Sequence, residues 1–478
     1  MKNIILLITD TYRYDNLIDR KEKTVATPYL NRFMEQRATS LSNCYTGSFP
    51  TIPHRTDVAS GLLGWPHYGW QAIDLSGPNH VGKMLENHGY FTQLICDCPH
   101  LFKARFDGGF EGAYHNRGQE GDKALLHMND PIKKVMSDEK TRPHPSFRGA
   151  SLPNVHRWTN RYMRLESETF AHRTSAIAVK WLEENYAAGP FFLWVDFFDP
   201  HEPWDPPEYM VKKYDPDYSG MPMIHPNYGL SSDYAGDELH NLWAHYAAEA
   251  ELVDRKIGRI IEKIDDLALW DDSIVVVTTD HGMSLGEHGR TGKSNISERD
   301  NRFWPIYPEI GHIPFLIAGS GVPKGNTLDM FFQPSDILPT VSCLAGADVE
   351  PAQNFDGSSA AEVILSGSNA DHRDYVVSGS HISLKGSASG IPPSATTPFL
   401  VTKPWGYAPV GAGGAPELYD ISKDPYATQD LAGDNRAVVK EMHGIFLQHL
   451  RDHNADDESL KMWESPGTGE GRWAIDYE

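Results

Sequence analysis

The stretch from residue 4 to residue 10 reads Ile-Ile-Leu-Leu-Ile-Thr-Asp, an unbroken apolar run that ends in the carboxylate of Asp10. Such a run, without polar alternation, is typical of a strand that is buried on both faces of a parallel sheet. In open α/β sheets, ligands bind outside the carboxyl ends of the strands. The stretch therefore predicts a central strand that delivers Asp10 to a ligand site.

Two later runs follow the same plan. Residues 191–198 read Phe-Phe-Leu-Trp-Val-Asp-Phe-Phe and are followed closely by His201. Residues 273–279 read Ser-Ile-Val-Val-Val-Thr-Thr and deliver Asp280 and His281. Three predicted strands thus end in polar side chains that could bind a ligand, which is the first functional signal in the chain.

Helical segments separate these runs. Residues 80–88 and 241–268 show helical periodicity, residues 91–95 resemble a further strand, and a last helix is expected at 435–453. Alternation of buried strands with helices predicts an α/β fold, with a large, mostly parallel sheet sandwiched by helices.

The composition of the chain changes near residue 368. We expect a catalytic α/β domain at 1–368 and a smaller α+β subdomain at 369–478. Within the first, residues 102–165, 205–240 and 286–308 are rich in Pro, Gly, His or charge and show few periodic features. Long irregular segments in a compact protein tend to be functional loops, so they are expected to form pocket walls.

Charge and length exclude several classes of protein. The 478 residues carry a net charge of -22, which argues against nucleic acid or an anionic membrane surface as partner. A small anionic ester remains a suitable substrate, because local cations can override the global sign. Four cysteines are too few for a disulfide framework, and no apolar run has the length of a signal core or a membrane span. A cytoplasmic protein is expected, with insertions that could support a homo-oligomer.

Residues 51–61 read Thr-Ile-Pro-His-Arg-Thr-Asp-Val-Ala-Ser-Gly, the pattern of a short helix. Pro53 suits its first turn and Gly61 its end, so Thr51 should lie at the N-terminus with Arg55 one turn later. The N-terminus of a helix favours anions. Taken alone, however, a threonine here is more often a cap than a nucleophile.

Taken together, these motifs resemble the sulfatase family of the alkaline phosphatase superfamily over nearly the whole chain. The matching segments are residues 4–13, 44–61, 200–204, 279–282, 286–289, 312–314, 336–340 and 417–425, with Asp254 and Lys293 between them. The resemblance implies the α/β fold of the alkaline phosphatase superfamily, a bound divalent metal and an anionic ester substrate.

Two departures from the family pattern change the expected chemistry. Thr51 stands where a sulfatase has the Cys or Ser that is oxidised to formylglycine, and threonine cannot give that aldehyde because its Cβ carries a methyl group. Thr51 resembles instead the phosphodiesterase and phosphonate monoester hydrolase branch of the superfamily. The family's Gly-Lys-x-His segment is replaced by residues 97–100, Asp-Cys-Pro-His, which lacks the lysine and leaves only His100.

The resemblance assigns Asp10, Thr51, Asp280 and His281 to one divalent metal ion. Two carboxylates and an imidazole suit Mn²⁺ best, with Zn²⁺, Mg²⁺ or Ca²⁺ as alternatives. No formylglycine is expected.

The remaining site residues are assigned in the same way. Thr51 is the expected nucleophile, Arg55 and Lys293 are expected to bind the charged oxygens, and His201 is expected to protonate the leaving group. The side chains that could contact substrate are Thr11, His54, His100 and His312.

Three functions remain open at this point. The first is a metal-dependent hydrolase that cleaves a phosphodiester or phosphonate monoester through a covalent Thr51 intermediate. The second is a sulfatase that works without formylglycine. The third is an inactive homologue that binds an anion.

Overall fold

The computed structural model describes residues 1–17, 24–75, 79–119, 122–123, 129–137, 140–141, 150–296, 300–347, 349, 354–381 and 395–464. The strands are β1 Asn3–Thr9, β2 Ala38–Cys44, β3 Ser48–Phe49, β4 Phe91–Cys96, β5 Gly112–His115, β6 Phe191–Asp196, β7 Gly229–Leu230, β8 Ser273–Thr279, β9 Ser284–Leu285, β10 Arg290–Gly292, β11 Trp304–Pro305, β12 Phe315–Gly319, β13 Asn326–Phe332, β14 Val376–Ser380, β15 Thr396–Thr397, β16 Phe399–Val401, β17 Trp405–Ala408 and β18 Glu417–Asp420. The helices are α1 Pro28–Gln36, α2 Thr51–Ser60, α3 Val81–Glu86, α4 Pro99–Lys103, α5 Leu152–Thr159, α6 Phe170–Asn185, α7 Glu208–Tyr214, α8 Gly236–Asp266, α9 Pro308–Gly311, α10 Ile337–Ala345, α11 Ala361–Ser366, α12 Arg436–Asp452 and α13 Asp457–Glu464.

An eight-stranded sheet forms the centre of the molecule, in the order β13-β2-β12-β8-β1-β6-β4-β5. β1 pairs in parallel with both β6 and β8, and β4 pairs in parallel with β5 and β6, whereas β12 runs antiparallel to its neighbours. The predicted mostly parallel α/β sheet is therefore confirmed. The register places Thr9 opposite Thr279 and Ile8 opposite Asp196, so the three predicted strands end at one edge.

Both faces of β1 are buried, as its apolar run predicts. Ile4, Leu6 and Ile8 pack into a core with α2, α3 and α10. Ile5 and Leu7 pack into the opposite core with α1, α6 and α8. Each such side chain contributes roughly 1.5–3 kcal/mol on burial, so the strand that carries Asp10 is strongly anchored.

The helix predicted from residue 51 onward is confirmed. α2 begins at Thr51 and ends before Gly61, whose φ of 69° is the left-handed conformation that glycine adopts without strain. The backbone N–H of His54 donates to the Pro50 carbonyl and closes the first turn of the helix.

A second sheet has the order β18-β17-β16-β14-β3. Four of its strands come from residues after 368, and α12 packs on it through Val439, Met442 and Phe446. The fifth strand, β3, pairs in parallel with β14 and directly precedes Thr51. The domain boundary at 368 stays a prediction.

The segments expected to be irregular contain more structure than their composition indicated. Residues 102–165 include β5, which forms the edge of the main sheet, and the helix α5. Residues 205–240 include α7 and the start of α8. Within the described ranges, no helix is both long and apolar enough to cross a membrane.

Candidate active site

The edge where β1, β6 and β8 end gathers three buried aspartates. Asp10 follows β1, Asp196 is the last residue of β6, and Asp280 follows β8. None of the three is exposed to solvent. Three carboxylates in such a place require cations, because an isolated buried charge is strongly destabilising.

Arg55 of α2 supplies the first cation. Its guanidinium donates to both oxygens of Asp196, through Nε and Nη2, each at 3.0 Å. Its Nη1 donates to Asp280 and lies 3.2 Å from Oδ2 of Asp10. The planar five-donor group of arginine suits this fork better than lysine would. Arg55 thus ties the helix that begins at Thr51 to all three strand ends.

Asp10, Asp280 and His281 form a group suited to a metal ion, since their ligating atoms all lie within 4.8 Å of one another. Nδ1–H of His281 donates to the Gly282 carbonyl at 2.8 Å, which leaves Nε2 as a lone-pair donor. Nε2 of His281 is fully buried and has no hydrogen-bond partner among the described residues, and Oδ2 of Asp10 has only the ion pair with Arg55. An orphaned imidazole nitrogen beside two carboxylates fits a bound cation, so the residues match the metal that the family implies.

The charge states fit the same interpretation. Burial, then Lys293, lowers the pKa of His281 to about 3, so the imidazole is neutral as a ligand must be. Burial and the Asp10 carboxylate raise the pKa of Asp280 to about 8. Burial opposes ionisation of Asp10 as well, but Lys293, His201 and Arg55 together hold its pKa well below the usual value. A divalent ion bound here would favour the ionised form of both carboxylates.

Thr11 links the metal group to Lys293. Its Oγ1 donates to Oδ1 of Asp10 at 2.8 Å and accepts from Nζ of Lys293 at 3.1 Å, and its backbone N–H donates to Asp280 at 3.0 Å. Thr11 has a φ of 65°, which is strained for a β-branched residue. Its contacts hold it in this conformation at the site.

Thr51 is the first residue of α2 and is buried, with 2% of its surface exposed. Its carbonyl accepts from Nη1 of Arg55 at 3.4 Å. His54 lies three residues later, on the same side of the helix as Thr51. Both ring nitrogens of His54 are buried and lack a partner among the described residues. Burial, Arg55 and His281 lower its pKa well below the usual value, so His54 is neutral.

His201 and His100 lie on the other side of the group. The ring of His201 stacks on Phe198 at 4.2 Å, and its Nδ1 contacts the Glu202 carbonyl at 2.7 Å. His100 packs edge-on against Phe198, and burial lowers its pKa to about 3. Oε2 of Glu202 lies 4.0 Å from Nζ of Lys293 and accepts no hydrogen bond from any described residue.

His312 lies in a different environment. Its ring is held between Tyr14 and Tyr45, at centroid distances of 3.6 and 4.5 Å, and its Nε2 contacts the Ser42 carbonyl at 2.8 Å. None of these contacts is with a residue of the metal group. Its role toward substrate stays a prediction.

Sequence reasoning missed Asp196 and did not foresee the place of Cys98. Asp196 ends its strand just as Asp10 and Asp280 follow theirs, and that repetition could have identified it. The Cys98 thiol is buried close enough to Arg55 and Asp10 for their charges to act on it, and burial raises its pKa well above the usual value. A neutral thiol therefore lies where the family pattern has a lysine.

Comparisons with known proteins agree with this geometry. Residues 2–347 match the family described as Sulfatase. Arylsulfatase K of Rattus norvegicus is 24% identical over 505 residues, covering 97% of this chain and 81% of that protein. Arylsulfatase K of Homo sapiens is 25% identical over 465 residues, covering 90% of this chain and 78% of that protein.

Solved structures of similar fold include two phosphonate monoester hydrolases. That of Agrobacterium radiobacter superposes with a TM-score of 0.72 at 20% identity, covering 95% of this chain and 96% of that one. That of Silicibacter pomeroyi gives a TM-score of 0.69 at 20% identity, covering 98% of each chain. At these identities the structures show a shared fold. With the family match over residues 2–347, we conclude that the chain belongs to the sulfatase family.

Proposed function

We propose that the protein is a metal-dependent hydrolase that cleaves a phosphodiester or a phosphonate monoester through a covalent intermediate on Thr51. The observation that carries the proposal is the position of this threonine. It begins α2, and the same helix places Arg55 between Asp10, Asp196 and Asp280. A hydroxyl held beside a metal group and a guanidinium is suited to attack an anionic ester.

The metal group has a defined contribution. A divalent ion held by Asp10, Asp280 and His281, with Thr51 as a further ligand, supplies Lewis-acid polarisation and charge neutralisation when bound. We favour Mn²⁺ or Zn²⁺, because the donor set combines carboxylates with an imidazole.

The chain's own residues carry the other roles. Oγ1 of Thr51 releases its proton to solvent and forms a bond to phosphorus. The bond from phosphorus to the leaving oxygen breaks, and that oxygen departs with a proton that we assign to His201. Lys293 and Arg55 bind the non-bridging oxygens, where negative charge increases in the transition state. Water then hydrolyses the phosphorylated or phosphonylated Thr51. His54 and His100 line the approach to this region.

Sulfate ester hydrolysis is the second candidate, and the similarity to arylsulfatase K favours it. In that case Thr51 would be sulfated and the sulfate released by water, since threonine cannot form the aldehyde. Phosphoryl transfer remains our first choice because it needs no second hydroxyl on the nucleophile to expel the product.

Three substrates and one pair of variants test the proposal. Turnover of bis(4-nitrophenyl) phosphate, a 4-nitrophenyl phenylphosphonate and 4-nitrophenyl sulfate should be measured with Mn²⁺ restored after chelation. Thr51→Val removes only the hydroxyl, and Thr56→Val on the same helix is its matched control. We expect Thr51→Val to lower diester and phosphonate turnover by about 10³-fold or more, and Thr56→Val to change it less than threefold.

Mass spectrometry distinguishes the outcomes further. A phenylphosphonyl group trapped on the peptide that contains Thr51 would establish the nucleophile directly. Dominant sulfate turnover with a sulfated Thr51 would favour the second candidate. Lack of turnover of all three esters, in protein shown to bind metal, would contradict hydrolysis and favour a binding role.

A further inference from the structure

A cavity of about 510 Å³ lies behind the segment 199–205 and shares no lining residue with the metal group. Residues of two of the three segments predicted to be irregular line it, from 157–165 and from 205–222. Its volume lies in the range of pockets that bind small molecules. The ends of the segment, Asp199 and Asp205, face this cavity, whereas its middle carries His201 and Glu202 toward Lys293.

Two buried side chains of α8 contribute hydrogen-bond acceptors to the cavity wall. Glu249 and His245 lie one turn apart on α8 and both line the cavity. Glu249 is 3% exposed and His245 is 6% exposed. Oε2 of Glu249 and Nδ1 of His245 have no hydrogen-bond partner in the part of the chain that the structure describes. Leaving a buried acceptor unsatisfied costs roughly 1–3 kcal/mol, so a pair of them indicates a partner that binds there.

The charges of the cavity wall also favour a cationic ligand. Asp199 accepts from Gln119 and from the Ala171 N–H, and Asp205 contacts Nε2 of His156 at 3.0 Å. Among the described residues, no cation pairs with Asp199 or Glu249. Burial, with Asp199 and Asp205 nearby, also raises the pKa of Glu249 well above its usual value.

Three cationic side chains line the cavity, Arg157, Arg164 and Lys212, and two of them pair with carboxylates. Lys212 pairs with Glu208 at 2.6 Å, and Arg157 lies 3.6 Å from Asp205. Asp199, Asp205 and Glu249 nevertheless place three carboxyl groups on the cavity wall, beside the imidazole of His245. Such a wall favours N–H donors that carry positive charge.

We propose that this cavity binds a small organic cation that carries a primary ammonium or guanidinium group, held by Glu249, Asp199 and Nδ1 of His245. A single metal ion fits less well, because no three of these acids and histidines bring their ligating atoms within 4.8 Å of one another in the described residues. An elongated amine spans the separated acceptors instead. The site is independent of the proposed hydrolysis.

Calorimetry with spermidine as probe tests this proposal on the full chain. Triethylene glycol serves as a neutral chain of similar length. Inorganic phosphate tests whether the cationic side chains of the cavity bind an anion instead. Glu249→Gln removes the carboxylate while keeping the shape of the side chain. Glu251→Gln is the matched control, since Glu251 is equally buried on the same helix but is paired with Lys213 and Arg255 and does not line the cavity.

We expect one spermidine per chain, no binding of triethylene glycol, and at least tenfold weaker binding in Glu249→Gln than in Glu251→Gln. Measurements in 0.5 M NaCl remove diffuse attraction to a chain of charge -22. Equal affinity of the two variants, binding that is lost in salt, or binding of phosphate in place of spermidine would overturn the proposal. Thermal unfolding of both variants checks that each is folded.

Discussion

Two buried groups of carboxylates lie on either side of the segment 199–205, and they are satisfied in opposite ways. At the ends of β1, β6 and β8, Asp10, Asp196 and Asp280 all contact the single guanidinium of Arg55. In the cavity, Asp199 and Glu249 have no cationic partner among the described residues. The carboxylates at the strand ends thus share a cation from the chain, whereas two carboxyl groups of the cavity have none within the described ranges.

The difference is informative because burial raises the free energy of every unpaired carboxylate. Carboxylates that share a cation from the chain can be held in place before a metal ion or substrate arrives, which suits catalysis. Carboxyl groups that have no cation from the chain can bind a cationic ligand from solution.

Removing the shared cation should have the largest effect. Arg55→Gln leaves three buried carboxylates without a guanidinium, so the free energy of unfolding of the metal-free protein should fall by about 3–5 kcal/mol. Urea denaturation measures the change. Arg302→Gln is the control, since Arg302 is 39% exposed and its pairing with Asp300 should contribute no more than about 1 kcal/mol. Equal losses in the two variants would contradict the role given to Arg55.

Adding a metal should stabilise one group and not the other. At an Mn²⁺ concentration of about 100 times the Kd, the free energy of unfolding should rise by about 2.7 kcal/mol. Asp10→Asn should abolish that gain, whereas Glu249→Gln should preserve it, because Glu249 is outside the metal group. Urea titrations with and without Mn²⁺ provide the measurement. An undiminished gain in Asp10→Asn would place the metal elsewhere.

Raising the pH should weaken the cavity group. Because burial raises the pKa of Glu249, the folded chain keeps a proton that the unfolded chain loses above about pH 4.3. The associated stability is present below that pH and is lost as the pH rises toward the folded pKa, by at most about 1.4 kcal/mol per pH unit. The groups that line the cavity around Glu249 are Asp199, Asp205, His245 and Arg157.

Glu249→Gln removes this proton. From pH 5 to pH 8, the free energy of unfolding of the variant should therefore rise relative to that of the unchanged protein. Urea unfolding at each pH measures the difference between the two proteins. Parallel pH profiles would show that Glu249 does not titrate differently in the folded and unfolded states.

The smallest effect is expected at Thr11. Thr11→Ser keeps the hydroxyl that bridges Asp10 and Lys293 and relieves part of the strain of a β-branched residue at a φ of 65°. The free energy of unfolding should change by no more than about 1 kcal/mol, with turnover within threefold. Thr11→Val keeps the branching but removes the hydroxyl, and should lower turnover further. A larger loss in Thr11→Ser than in Thr11→Val would reverse this interpretation.

Much of the main sheet could be predicted from local sequence. Strands that are buried on both faces must be apolar throughout, so β1, β6 and β8 were recognisable, and their polar ends located Asp10, Asp280 and His281. β2 and β5 were not recognisable, because β2 is polar along much of its length and β5 is an exposed edge strand. Their pairing depends on contacts with strands that are distant in sequence.

The environment of the site residues could be predicted less well. The end of β6 could have pointed to Asp196, but its two bonds to Arg55, which lies 141 residues away, could not be read from the sequence. The packing of His312 between two tyrosines is likewise set by the fold and not by its neighbours in sequence. The cavity acceptors on α8 have the spacing of an ordinary buried helix face, so only their lack of partners distinguishes them.

The pairing of β3 with β14 has a genetic consequence. A stop codon just after residue 368 would leave every candidate catalytic residue encoded, yet would remove the strand that holds Ser48–Phe49 in place before Thr51. Phe49 also packs 4.9 Å from the ring of His281. A side chain on Gly379 would collide with the Trp65 ring at 2.2 Å beside this pairing. Truncated alleles and bulky missense alleles at Gly379 should therefore both fail to complement a null strain.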